Sequence, residues 1–284
     1  MDRIDSHQHF WQLSRGDCAW LTPELTVLYK DFLPEDIQGY LTQAKVDKTI
    51  VVQAADTLAE TEFLLQLAEQ HEFIAGVVGW VDMESENCIE VLNQLKKNPY
   101  FKGIRPMIQD IADDAWMLKP ELTPVFEALV ELGLTFDALV LPKQLANLKE
   151  LLNRHPNLSV VIDHGAKPNI SAAIGQPIEN SINKQWADDM KELSASANVY
   201  CKLSGLLTEA GEQPTYSNIE PYMSYLLSCF GAQRLMWGSD WPVVNLASDY
   251  QAWADHVTTF VESLSEYQQS SIFSGAAKTF YRIA

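Results

Sequence analysis

The sequence predicts an α/β fold, a (β/α)8 barrel of the TIM type, and three observations carry that prediction. Eight short apolar, β-branched runs recur along the chain, and amphipathic stretches with helical spacing separate them. Strands that alternate with helices mean parallel βαβ units. Second, 284 residues hold eight such units, since a barrel of this kind takes roughly 250. Third, neither GxGxxG nor GxxxxGKS/T occurs. A doubly wound open sheet, the runner-up, would usually carry such a phosphate loop after an early strand.

In order, the strand runs are RIDSHQH (3–9), KTIVVQA (48–54), IAGVVGW (74–80), FKGIRPM (101–107), LTFDALV (134–140), SVVIDHG (159–165), VYCKLSG (199–205) and RLMWGSD (234–240). Apolar residues at helical spacing fill 59–71, 86–97, 122–133, 142–156 and 218–231, where Gly231 suits a C-cap. The expected organisation is one barrel domain over 1–284. Its long connections, 10–47 and 166–198, would shape or cover an active site at the C-terminal ends of the strands.

Composition narrows the function. With 47% hydrophobic residues the chain can build a large core. A formal net charge of -18 argues against nucleic acid and against an anionic membrane surface as partners. Cys18, Cys88, Cys201 and Cys229 form no CxxC pair and no regular spacing, so reduced thiols in a cytoplasmic protein are expected. The N-terminus lacks the long apolar run of a signal peptide. No stretch approaches the roughly 18 apolar residues of a membrane span. A homodimer is left open.

The stretch IDSHQHFW (4–11) places His7 and His9 two apart, on one face of a strand. That arrangement begins a metal site or a polar catalytic pocket, and a surface strand with two satisfied histidines reads the same way. The other strand ends add Gln53, Trp80 and Asp82, Arg105, Asp137, Asp163 and His164, Lys202 and Ser204, and Asp240. Any one could be a satisfied core residue. A ring of polar groups ending apolar strands argues for a pocket. His71, His155 and His256 fall on helical stretches and are expected at the surface.

An HxH on the first strand, a His on the sixth and an Asp on the eighth resemble the amidohydrolase superfamily. IDSHQHFW, GVVGWVD, KGIR, LTFDALV, VVIDHGAKP, YCKLSGL and MWGSDWPV resemble the amidohydrolase 2 branch, and within it the L-fuconolactonase-like sugar lactone hydrolases. The likeness runs from residue 4 to about 245. It implies an amidohydrolase-type barrel that opens a sugar lactone to the aldonic acid. Arg105 and Asp137 stand where a two-metal relative needs a bridging Lys or Glu and a further His, so the expected cofactor is none, or one divalent ion. Zinc is the preferred ion, held by His7, His9, Asp240 and His164.

Lactone hydrolysis needs an activated water, a polarised carbonyl and a stabilised oxyanion. The expected roles are Asp240 as general base, with His7, His9, His164 and Arg105 polarising the carbonyl. Gln53, Asp82, Asp137 and Lys202 are expected to bind hydroxyls, and Trp80 and Trp241, with Trp11, to supply flat faces. Lys202 also has a structural reading, paired with Asp240 or Asp163. The competing readings are a metal-dependent decarboxylase of an aromatic or unsaturated carboxylate, a pyrone or muconolactone hydrolase, and a non-catalytic barrel. Two strand-end cations among several carboxylates favour a neutral polyhydroxylated substrate.

Overall fold

Each apolar run folds as a strand: β1 Ile4–Gln8, β2 Lys48–Val52, β3 Ile74–Gly79, β4 Phe101–Ile104, β5 Thr135–Ala138, β6 Val160–Ile162, β7 Val199–Leu203 and β8 Leu235–Trp237. The structure is a computed structural model and describes residues 2–173, 184–211 and 214–283. All seven ladders are parallel and join neighbours in sequence, β1 through β8. The eighth seam is closed differently. Beyond β8 the Asp240 N–H donates to the His7 carbonyl at 2.8 Å, and the His9 N–H donates to the Trp241 carbonyl at 2.7 Å. Ser6 Oγ donates to the Trp237 carbonyl at 2.6 Å, and the Ser239 N–H donates to Asp5 Oδ1 at 2.8 Å. Closure therefore depends on the same residues that carry His7, His9 and Asp240.

Helices cover the outside: α1 Pro34–Ala44, α2 Leu58–Gln70, α3 Cys88–Leu95, α4 Thr123–Leu132, α5 Leu145–Arg154, α6 Lys184–Leu193, α7 Tyr216–Phe230, α8 Tyr250–Val261, α9 Glu266–Ser270 and α10 Ala276–Tyr281. Residues such as Val51, Val77, Ile104, Phe136 and Leu203 point outward and pack under the helices in one continuous core. Their neighbours point inward by the two-residue period. Ile4, Ile50, Val52, Val78, Val161 and Met236 form an inner cluster, against which α10 lays Ala276, Ala277, Phe280 and Tyr281. This apolar plug closes the end of the barrel where the strands begin. The same period then stacks polar on apolar: Asp163 follows Val161 by two residues, and Asp240 follows Met236 by four.

Gly231 ends α7 as expected, with φ 65° and its N–H on the Leu227 carbonyl. The connection 10–47 carries α1 and is tied by an antiparallel bridge between Trp11 and Phe32. Of the connection 166–198, residues 174–183 lie outside the described residues. His155 departs from expectation. It is buried, at the C-cap of α5, with its ring 5.3 Å from that of Phe126.

Candidate active site

The chain turns sharply after β6 and after β8. His164 and Asp240 both take positive φ, 54° and 59°. For a residue with a Cβ that region costs about 1–2 kcal/mol, and such strain gathers at functional sites. Here it accompanies convergence, because His164 Nε2 comes within 3.8 Å of Asp240 Oδ1. His9 Nε2 lies 3.3 Å from the same oxygen and His7 Nε2 3.6 Å. The two Nε2 atoms of His7 and His9 are 3.1 Å apart. His9 Nδ1 donates to the Val52 carbonyl at 2.8 Å, so in the neutral ring Nε2 is a lone pair facing Asp240. His164 Nδ1 meets Ser204 Oγ at 2.9 Å.

Arg105 enters from the end of β4. Its Nη2 donates to the Gln53 carbonyl, and Gln53 Nε2 returns a bond to the Arg105 carbonyl at 2.6 Å. Nη1 lies 3.4 Å from His7 Nε2 and 3.6 Å from Asp163 Oδ2, and the buried Nε has no protein partner. The guanidinium is thus held in place at the wall of the site.

Burial pushes the imidazoles toward neutrality. His7 falls well below the usual range, His9 falls too, and His164 drops to about 4. Burial alone would raise the Asp240 carboxyl. In the acid range where it titrates, the imidazoles of His164, His9 and His7 carry charge and more than offset that, so it is held below the ordinary carboxylate range and is ionised at neutral pH. One carboxylate among three neutral rings and a guanidinium is a site for moving a proton beside a stabilised anion.

The donor set also fits a metal ion. Four ligands at the zinc–nitrogen distance of about 2.0–2.1 Å sit roughly 3.3 Å from one another. His7 Nε2, His9 Nε2 and Asp240 Oδ1 are separated by 3.1–3.6 Å, with His164 Nε2 3.8 Å from Asp240. His7, His9 and Asp240 are one candidate ligand group, and His7, Asp163 and His164 are another.

A cavity of about 260 Å³ opens on His9, Arg105, His164 and Asp240. Its remaining lining comes from Trp20, Ala54, Met107, Gln109, Asp110, Leu139, Lys167 and Val243. Sequence reasoning missed these, because most lie past the strand ends, in connections whose paths no local period dictates.

Several expected substrate contacts are corrected. Lys202 and Asp137 lie fully buried beneath the histidines: Lys202 Nζ is 2.6 Å from Asp137 Oδ2, 2.9 Å from Asp163 Oδ1 and 3.2 Å from His7 Nδ1. Tyr281 Oη donates to Asp137 Oδ2 at 2.6 Å and seals the cluster from below. Lys202 pairs with Asp163, as its structural reading had it, and with Asp137, but not with Asp240. Gln53 is buried and holds Arg105. Trp80 and Asp82 line a separate recess of about 110 Å³ with Leu58 and Cys88. Trp241 and Trp11 are each 1% exposed. Trp241 packs edge-on against Phe10 and Phe32, and the Trp11 indole donates to the Lys30 carbonyl at 2.8 Å.

The amidohydrolase family profile matches residues 4–283. The chain belongs to the amidohydrolase family. This amidohydrolase is 43% identical to L-fucono-1,5-lactonase of Burkholderia ambifaria, over 99% of this chain and 96% of that one. It is 34% identical to L-fucono-1,5-lactonase of Burkholderia multivorans, again over 99% and 96%. A solved amidohydrolase structure from Burkholderia multivorans, with bound zinc, matches with a TM-score of 0.92 at 33% identity over the whole of both chains.

One glycine of this amidohydrolase gives a direct test of the packing. Gly205 has φ +63°, and a Cβ there would stand 2.5 Å from His164 Nδ1. Gly205→Ala is expected to cost about 1–2 kcal/mol from the backbone alone. It should also shift His164 and lower kcat/KM by at least tenfold, since a misplacement near 1 Å costs about 10²-fold. Thermal melting and steady-state kinetics check both. Unchanged kinetics would mean that the position of His164 does not matter.

Proposed function

We propose that this amidohydrolase hydrolyses a sugar lactone, with L-fucono-1,5-lactone as the substrate, to the open aldonic acid. One observation carries the reading: an ionised Asp240, the imidazoles of His9 and His164 and the Arg105 guanidinium meet in one cavity, with His7 buried directly behind them. The two lactonase relatives, matched along nearly their full lengths, support it. The lining suits a small ring with both polar and apolar edges. Gln109, Asp110 and Lys167 can meet hydroxyls, while Met107, Leu139 and Val243 can meet the methyl group of a 6-deoxy sugar. The decarboxylase, pyrone and muconolactone readings are not favoured. They call for a carboxylate substrate, and Lys202, one of the two strand-end cations, is buried and paired. A non-catalytic barrel would leave the ionised Asp240 and the strained turns without use.

In this reading Asp240 takes a proton from a water in the cavity, and that water attacks the lactone carbonyl carbon. The Arg105 guanidinium, which lines the cavity, receives the charge that develops on the carbonyl oxygen. The carbon–ring oxygen bond then breaks, and Asp240 returns its proton to the departing oxygen. His9 and His164 flank Asp240 on two sides, at 3.3 and 3.8 Å. Where an ion is bound, His7, His9, Asp240 and His164 would hold it, and it would supply Lewis-acid polarisation of the carbonyl or water. The reading includes a single barrel domain in the cytoplasm without nucleic acid as partner, supported by the net charge of -18 and four free thiols. Among the described residues no helix is long and apolar enough to cross a membrane.

The test is base uptake at constant pH on a panel of sugar lactones, with the uncatalysed rate subtracted. It is run on chelator-treated protein and on protein supplied with zinc. Hydrolysis of L-fucono-1,5-lactone above the rest in either state supports the proposal. Turnover by the stripped protein assigns the chemistry to the side chains, and turnover only with zinc makes the histidines ligands. No turnover of any lactone in either state overturns it.

A further inference from the structure

Of the eight tryptophans, Trp20 is the one that lines the cavity. We infer that Trp20 is the face on which the sugar ring rests, and that it selects substrates by the side of the ring they can present to it. The inference rests on the lactonase reading and deepens it.

Trp20 sits in the connection between β1 and α1. Its indole N–H, the only polar atom of the side chain, donates to the Ala54 carbonyl at 2.7 Å. What remains for a ligand is ring surface alone. That surface suits a patch of ring C–H groups and is a poor neighbour for a hydroxyl, which would lose its water without gaining a bond. Half-buried Trp20 keeps part of its surface free, whereas Trp11 and Trp241 are buried and Trp80 faces another recess.

The indole is also fixed before any ligand arrives. It stands perpendicular to Trp11, with centroids 5.5 Å apart and an 83° angle between planes. Trp11 is anchored in turn by its bond to the Lys30 carbonyl and its bridge to Phe32. On the N-terminal side of Trp20, Arg15 pairs with Asp17, reaches to 3.5 Å from Glu60 Oε2 and lies over the Phe63 ring at 4.2 Å. Glu60 and Phe63 belong to α2, so the connection is clamped to the barrel wall beside Trp20. A side chain held this firmly loses little freedom when a ligand binds.

The experiment compares the full-length wild type with Trp20→Leu and Trp20→Phe. KM and kcat are measured on L-fucono-1,5-lactone, and binding of the aldonate product is measured by calorimetry and by tryptophan fluorescence. Trp20→Leu is expected to raise KM and the aldonate Kd by about tenfold, with a much smaller fall in kcat. Trp20→Phe should stay within about threefold of the wild type in affinity. The aldonate-induced fluorescence change should vanish in Trp20→Phe although seven tryptophans remain. A loss confined to kcat, an unaltered aldonate Kd, or a fluorescence change that survives in Trp20→Phe overturns the inference while leaving the lactonase reading intact. A wild type that neither turns over a lactone nor binds aldonate overturns both. Misfolding of the Leu variant does not block the test, because the Phe variant and the wild-type fluorescence carry it.

Discussion

Asp240→Asn is expected to lower kcat on the lactone by roughly 10²–10⁴-fold, the range that a positioned general base supplies, while KM changes by less than about threefold. The substitution keeps the size of the side chain and removes its ability to take a proton. Its neighbours make the effect specific. His9, His7 and His164 surround the carboxylate within 3.8 Å, and all three are held toward the neutral form. A neutral His9 has its lone pair toward residue 240, so the amide nitrogen of Asn can donate there and the local packing survives. Steady-state kinetics with melting curves check it. A variant that folds normally and turns over at near wild-type rate would take the base role from Asp240 and leave His9 or His164 as the group to test.

How the site could be read in advance follows from what each signal measures. The strands were legible because β-branched apolar runs at regular intervals leave few alternatives to a parallel barrel. His7, His9, His164 and Asp240 were legible because each breaks an apolar run where a barrel strand ends, and four such breaks fall within one site. Depth was not legible. Asp137 and Lys202 also point inward, yet they lie one layer below the cavity, and that depends on how the strands are staggered around the barrel. No period in a single strand records the stagger. The tryptophans show the same limit from the other side. Trp11, Trp80 and Trp241 adjoin strand ends but turn into the core or an outer recess, while Trp20, nine residues beyond Trp11, is carried to the cavity by the fold of its connection.

The Lys202 correction leads to the second large effect. Lys202→Met is expected to destabilise the fold by about 3–5 kcal/mol, the cost of breaking a buried ion pair by removing one partner. Melting should fall by roughly 10 °C, at about 2–4 °C per kcal/mol for a chain of this size. The ammonium is the buried counter-charge shared by Asp137 and Asp163, both fully inaccessible. In the native protein Lys202 holds Asp163 well below the usual carboxylate range despite its burial, whereas burial keeps Asp137 raised against the pull of Lys202. The pH dependence then has a definite sign. Asp163 with its lowered value stabilises the wild type above the ordinary carboxylate range, and that contribution is lost as pH falls through the folded value. In the variant Asp137 has lost its cation, Asp163 keeps only the Arg105 guanidinium, 3.6 Å away, and both carboxyls are raised instead. Their protonated forms are tolerated below the unfolded value, and stability drops as pH rises through the folded one. The gap in melting temperature between the two proteins should therefore be wider at pH 8 than at pH 5, and Asp137→Asn added to Lys202→Met should recover part of it. A lysine that contacted substrate would behave otherwise: its loss would raise KM and leave melting within a degree or two at every pH. That second pattern would restore Lys202 to the binding site and contradict the buried cluster under His7.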